Sequence, residues 1–142
     1  APPAAGGAAT PIDPNLASAA TVPLAALAMS DAQGMQREGN VAAGQFQEGQ
    51  ALEVPMQFAV GKCYTVLAVG VGIAETDISL MAATPIPGQF QEVARDNGTG
   101  AQASLGGKGN CYKWPWPVGA QGKYVIKATR GAGVAAGALY VK

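Results

Sequence analysis

Leu52, Val54, Met56, Phe58 and Val60 alternate with Glu53, Pro55, Gln57 and Ala59, and this period of two commits the middle of the chain to β-structure. On a strand the five large residues share one face, whereas on a helix they would scatter around the axis. Pro55 has no ladder donor, so this strand belongs at a sheet edge or a bulge. Gly61 and Lys62 form a turn, and residues 63–69 follow with apolar side chains on both faces, as expected of a central strand. Further strands are expected at 76–83, 89–95, 102–105, 110–114, 123–130 and 134–141, with turn signals at 85–88, 96–100, 106–109, 115–122 and 131–133. Eight short strands without βαβ alternation predict an all-β fold for residues 45–142, an antiparallel β-sandwich of jelly-roll type.

Residues 1–44 differ in kind. They hold no aromatic residue and one basic residue, Arg37, so they read as an extended Ala/Pro-rich N-terminal arm that orders only against something else. Within it, Asp13 and Pro14 are suited to cap and begin a short helix over 15–20, which Pro23 would end. Residues 21–29 fit either a second short helix or an extended apolar strand, and 30–44 fit a linker. Val22, Leu24, Leu27 and Met29 would then be anchors for self-assembly, since an apolar run on a coreless arm gains stability only against a neighbour.

The net charge of zero and the scattered basic residues give no stripe to neutralise phosphates, which excludes nucleic acid as a partner class. No stretch approaches the ~20 apolar residues of a spanning helix, so the chain is read as not membrane-spanning. The start at Ala1, Pro2 and Pro3 fits a mature end left by signal-peptide removal, and paired cysteines fit an extracellular or cell-surface location.

Histidine is absent, which removes the commonest general base and the Ser-His and Cys-His arrangements, and the chain is read as non-enzymatic. Glu75 and Asp77, two apart on a strand, read as a solvated strand start in preference to a glycosidase pair. Cys63 and Cys111 read first as a disulfide, with buried thiols as the alternative, and a zinc site lacks its other ligands. Tyr112, Trp114 and Trp116 fall within five residues, and Pro115 and Pro117 would stiffen their loop. They either present a flat platform for a sugar ring or partner surface, or fold back to close one end of the sandwich. Asp96 and Asn97, with Asp77 or Glu92 nearby, offer oxygen ligands for calcium, although Asn97-Gly98 equally suits a hairpin turn. Gly106-Gly107-Lys108-Gly109 lacks the spacing of a phosphate loop and reads as a hinge or turn. No cofactor or resident metal is implied.

Gly61-Lys62-Cys63-Tyr64-Thr65-Val66 entering a strand, Thr76-Asp77-Ile78-Ser79-Leu80, Ala94-Arg95-Asp96-Asn97-Gly98, and Gly122-Lys123-Tyr124-Val125-Ile126-Lys127 before the terminal strand together resemble the pre-peptidase C-terminal type of β-sandwich, an accessory domain of secreted bacterial proteins. The resemblance covers about residues 45–142 and implies a non-catalytic surface module concerned with binding, secretion or assembly. The expected function is therefore a structural or interaction protein whose arm drives homo-oligomer or filament formation or tethers it to another surface protein. The alternative is a carbohydrate-binding accessory module that meets a polysaccharide through the Trp114 and Trp116 loop.

Overall fold

Two long strands organise the molecule. In the computed structural model, which describes residues 7–142, β4 (Cys63–Ala83) runs antiparallel to β8 (Ala120–Val141) along almost its whole length, from Tyr64↔Val141 to Ala82↔Gly122. Both bend at the same place, where the register slips between Val71 and Thr76. Gly72 (φ +83°) and Gly131 (φ +87°) face each other at this corner in a conformation that a side chain would strain. The glycines at 70–72 and 131–133 therefore bend the ladder without ending it. What the sequence suggests as four short strands is two bent ones.

The corner divides the sheet into two halves. In one, β8 beyond the corner pairs with β2 (Gln36–Phe46), while β4 before it pairs with β6 (Gln102–Leu105) and β7 (Tyr112–Lys113). In the other, β8 pairs with β3 (Ala51–Phe58) and β4 with β5 (Phe90–Arg95). The inner faces of both halves meet in one core that includes Phe46, Phe58, Tyr64, Leu80, Tyr124 and Ile126. The all-β antiparallel class holds, with the two layers made by folding one continuous sheet. Pro55 lies on β3, which pairs with β8 alone apart from one bridge, the edge position its missing donor requires.

The N-terminal third corrects the expected arm. β1 (Thr10–Pro11) pairs with β2, and β2 pairs with β8 through eight register positions. Asp13 caps a 3-10 turn at Pro14–Ala17 by accepting the Asn15 N–H at 2.9 Å, as its sequence position predicts. The helix that follows, α1 (Ser18–Asp31), runs through Pro23 instead of ending there. The carbonyl that Pro23 leaves without an N–H partner is that of Ala19, an exposed residue, so water can satisfy it.

Helix α1 covers the outer face of the β2–β8–β4 half and makes a second core with Ala17, Ala20, Leu24, Ala43, Leu67, Val69, Ala136 and Ala138. Alanine dominates on both sides, which lets helix and sheet approach closely. That is also why β2 escapes a sequence reading: its Ala43 lies beside Ala136, and its Gly44 beside Ala135, so small residues do the packing that large ones usually signal. The same cover explains strand β4, where Tyr64, Val66 and Ala68 enter the main core while Leu67 and Val69 lie under α1. The Ala1, Pro2 and Pro3 start lies outside the described residues.

Candidate functional site

Three connections converge at the end of the molecule where β3 stops, β4 ends and β8 begins. Phe58, the last residue of β3, pairs with Ala120 at the start of β8, and Ala82 near the end of β4 pairs with Gly122. The β3–β4 turn therefore lies beside the loop before β8, and the Trp114 N–H donates to the Lys62 carbonyl at 3.0 Å. The β4–β5 turn is closed by Thr84, whose N–H donates to the Gln89 carbonyl at 2.9 Å. These connections expose Val60, Ile86, Trp116 and Val118. Trp116 and Val118 line an open groove of about 350 Å³ together with Ala82, Pro85, Val93 and Trp114. Among the described residues, the side chains with hydrogen-bonding groups that join this lining are Thr84, Gln91 and the two indoles, and none is charged.

The two tryptophans part ways here, which corrects the platform of Tyr112, Trp114 and Trp116. Trp114 is 5% exposed and stacks on Phe58 with centroids 4.4 Å apart and planes at 12°. Its Nε1–H donates to the Val118 carbonyl at 2.7 Å, so the indole locks the loop that carries Trp116. Tyr112 meets Phe58 edge-on at 6.2 Å and is half-buried. Trp116 alone stands out, 58% exposed, between two prolines that hold its backbone. Val60, Ile86 and Val118 were not legible as site residues, although large apolar residues flanked by Pro or Gly in turn segments are the signal that marks them.

Cys63 and Cys111 form the expected disulfide, with Cα atoms 5.5 Å apart. It ties the loop after β6 to the start of β4. The Thr65 hydroxyl donates to the Gly106 carbonyl at 2.6 Å, and the Lys108 N–H donates to the Asp31 carbonyl at 2.9 Å, so this loop also closes the C-terminal end of α1. The Gly106–Gly109 segment is structural in this sense, with Lys108 at φ +57°.

The anchors assigned to assembly are also divided. Leu24 is 2% exposed inside the molecule's own second core, and Leu27 packs against the same core. Neither is free for a neighbour. Val22 and Met29 lie on the opposite face of α1, exposed at 68% and 76%.

The calcium candidates do not converge. Asp77 accepts a short hydrogen bond from the Thr129 hydroxyl. Asp96 accepts the Ile78 N–H at 2.7 Å, which folds its loop onto β4 in place of a tight Asn-Gly hairpin; the left-handed residue there is Gly100. Burial raises the Asp96 pKa, the Ile78 bond opposes this, and the Asp77 charge adds to the rise. Asp96 shares one cleft with Asp77 and Glu92 and a second with Asn97, so the four line no single cleft. Among the described residues no group of three or more His, Cys, Asp or Glu side chains is placed to hold a metal. Glu75 is buried instead of solvated, accepting the Gly100 N–H at 2.9 Å with Arg130 3.9 Å away. Among the described residues no helix is long and apolar enough to cross a membrane.

No family model and no curated protein matches the chain. Among solved structures it is similar to PliG of Aeromonas hydrophila, a periplasmic lysozyme inhibitor of g-type lysozyme, at 12% identity and a TM-score of 0.42. The similarity covers 78% of this chain and 88% of that one.

Proposed function

We propose that the chain is a non-catalytic, exported binding module that recognises a protein partner through the Trp116 end of the sheet. The carrying observation is the exposed pair Trp116 and Val118 on a groove in whose lining no described residue is charged. Such a surface suits an apolar side chain from a partner loop, with tryptophan as the anchor that most often dominates protein interfaces. Pro115 and Pro117, together with the buried Trp114, hold the loop in place beforehand, so little ordering entropy is lost on binding. A sugar ring calls for several polar side chains beside the aromatic face, and Thr84 and Gln91 are few for that purpose. The disulfide supports export.

Affinity capture from secreted and periplasmic fractions of the source cells tests this with three baits: wild type, Trp116→Ala with Val118→Ser, and Val22→Ser with Met29→Ser. The expected partner is retained by the first and third baits and lost from the second. Retention by all three, or by none, overturns the reading. A change in Trp116 emission on adding purified polysaccharide would transfer the site to carbohydrate.

A second reading, self-association, is favoured by the outer face of α1. Residues 14–30 carry no charge, and Val22, Ala25, Ala26 and Met29 are all exposed. A helix apolar on every side is ordinarily covered on every side. Sedimentation of wild type against the Val22→Ser and Met29→Ser variant decides it, and a wild-type monomer at high concentration removes it.

A further inference from the structure

Between β2 and β3 the folded sheet is left open. β1 closes one end of this seam, where Thr10 pairs with Gln45 and Ala8 bridges to Ala51. Beyond Pro11 the chain departs into the capped turn and α1, and no described residue replaces it farther along. A bulge between Glu38 and Ala42, with Gly39 at φ +76°, carries β2 away from β8 at this level. The result is a cleft of about 340 Å³ lined by Glu38, Val41, Val54, Met56, Tyr124 and Leu139.

Its floor is the main core itself. Tyr124 and Leu139 are each 2% exposed, while Val54 and Met56 share the inner face of β3 with Leu52 and Phe58 yet stay half-buried, because no described residue covers them. Two polar side chains of this lining have no partner among the described residues. The Tyr64 hydroxyl donates to the Gln57 carbonyl at 3.2 Å and accepts the Ala59 N–H at 2.7 Å, but the Tyr124 hydroxyl bonds to no described residue. Burial and the neighbouring Tyr140 push Tyr124 up to about 12, so it remains a hydrogen-bond donor at neutral pH. Glu38 stands opposite Leu139 in the register, and no described cation pairs with it.

An added peptide strand would find few partners here. Ala51 turns its N–H and carbonyl outward to Gly7 and Ala9, so Glu53, Pro55 and Gln57 also face the seam. Pro55 has no N–H and the Gln57 carbonyl is already taken. The seam suits a small molecule.

We propose that this cleft binds a small organic cation of the arylalkylamine class, its apolar body against Val54, Met56 and Leu139, an acceptor at its buried end opposite the Tyr124 hydroxyl, and its ammonium beside Glu38. The volume lies within the range of small-ligand pockets, and the Tyr124 hydroxyl, which has no described protein partner, favours a ligand that brings an acceptor to it. The site is separate from the Trp116 end and independent of its assignment.

Titrations followed by amide chemical shifts test it with three probes: tyramine, phenethylamine, and 3-(4-hydroxyphenyl)propionate. Tyramine shifts the amides of Val41, Ala42, Val54 and Met56 and binds about tenfold tighter than the carboxylate, because Glu38 attracts one and repels the other. Glu38→Gln removes that preference. Tyramine also exceeds phenethylamine in the wild type, and Tyr124→Phe makes the two equal. Should Tyr124→Phe not fold, the wild-type comparison of these amines carries the same information. Equal binding of amine and carboxylate, equal binding of the two amines, shifts centred elsewhere, or no shifts at millimolar probe each overturns the proposal.

Discussion

Leu24→Ala separates a helix that belongs to the fold from one that merely rides on it. Leu24 is 2% exposed and lies with Leu67, Val69, Ala136 and Ala138, which are held in backbone ladders that cannot close over a lost side chain. Removing buried methyl groups at such a site costs about 2–5 kcal/mol, the transfer of the missing atoms plus the cavity left behind. Alanine neighbours place the expectation near the middle, about 3 kcal/mol, because small side chains have no alternative rotamer with which to fill space. For a domain of this size that lowers Tm by roughly 10 °C. Urea denaturation followed by far-UV and near-UV circular dichroism measures the free energy and a thermal melt measures Tm, with Val22→Ala as the control. Val22 is 68% exposed, so its truncation stays within about 0.5 kcal/mol. If Leu24→Ala is as mild as Val22→Ala, or if deleting residues 7–34 leaves the same cooperative transition, α1 is not part of the folding unit and the second core is refuted.

Loss of the disulfide through Cys63→Ala with Cys111→Ala releases a loop with a sequence separation of 48, and the chain-entropy account sets the cost at about 4 kcal/mol before strain, read as a lower urea midpoint. Trp114→Ala destabilises by about 3–5 kcal/mol while Trp116→Ala stays within about 0.5, and acrylamide quenches the emission of a Trp114→Phe variant far more than that of a Trp116→Phe variant. Tyr124, held at about 12 against an ordinary 10.0, favours its protonated form when folded, so stability is intact below pH 10 and falls between about pH 10 and 12. The loss approaches ~2–3 kcal/mol at the upper end, and Tyr124→Phe should flatten that limb of a stability-against-pH curve.

The order of legibility follows the size of the residues involved. Strand β3 could be read from its alternation because Leu52, Val54, Met56 and Phe58 are large and Pro55 restricts it to an edge. The disulfide followed from two cysteines alone, and the Asp13 cap from one carboxylate beside a proline. Local chemistry of this kind belongs to the chain whatever lies around it.

What only tertiary structure decided rests on small residues and on pairings far apart in sequence. Glycine at 72 and 131 reads as a turn in isolation, and becomes a corner only because β4 and β8 bend together and stay paired. The segment at 36–46 is polar and glycine-bearing, and becomes a strand because its small residues fit beside Ala135, Ala136 and Gly137 beneath a helix. That helix in turn draws Leu24 inward and leaves Val22 out. Trp114 and Trp116 are nearly equivalent as sequence, yet Phe58, brought from 56 residues away, takes one indole into the core and leaves the other at the surface. Long-range partners choose which of two plausible faces is buried, and no local pattern contains that choice.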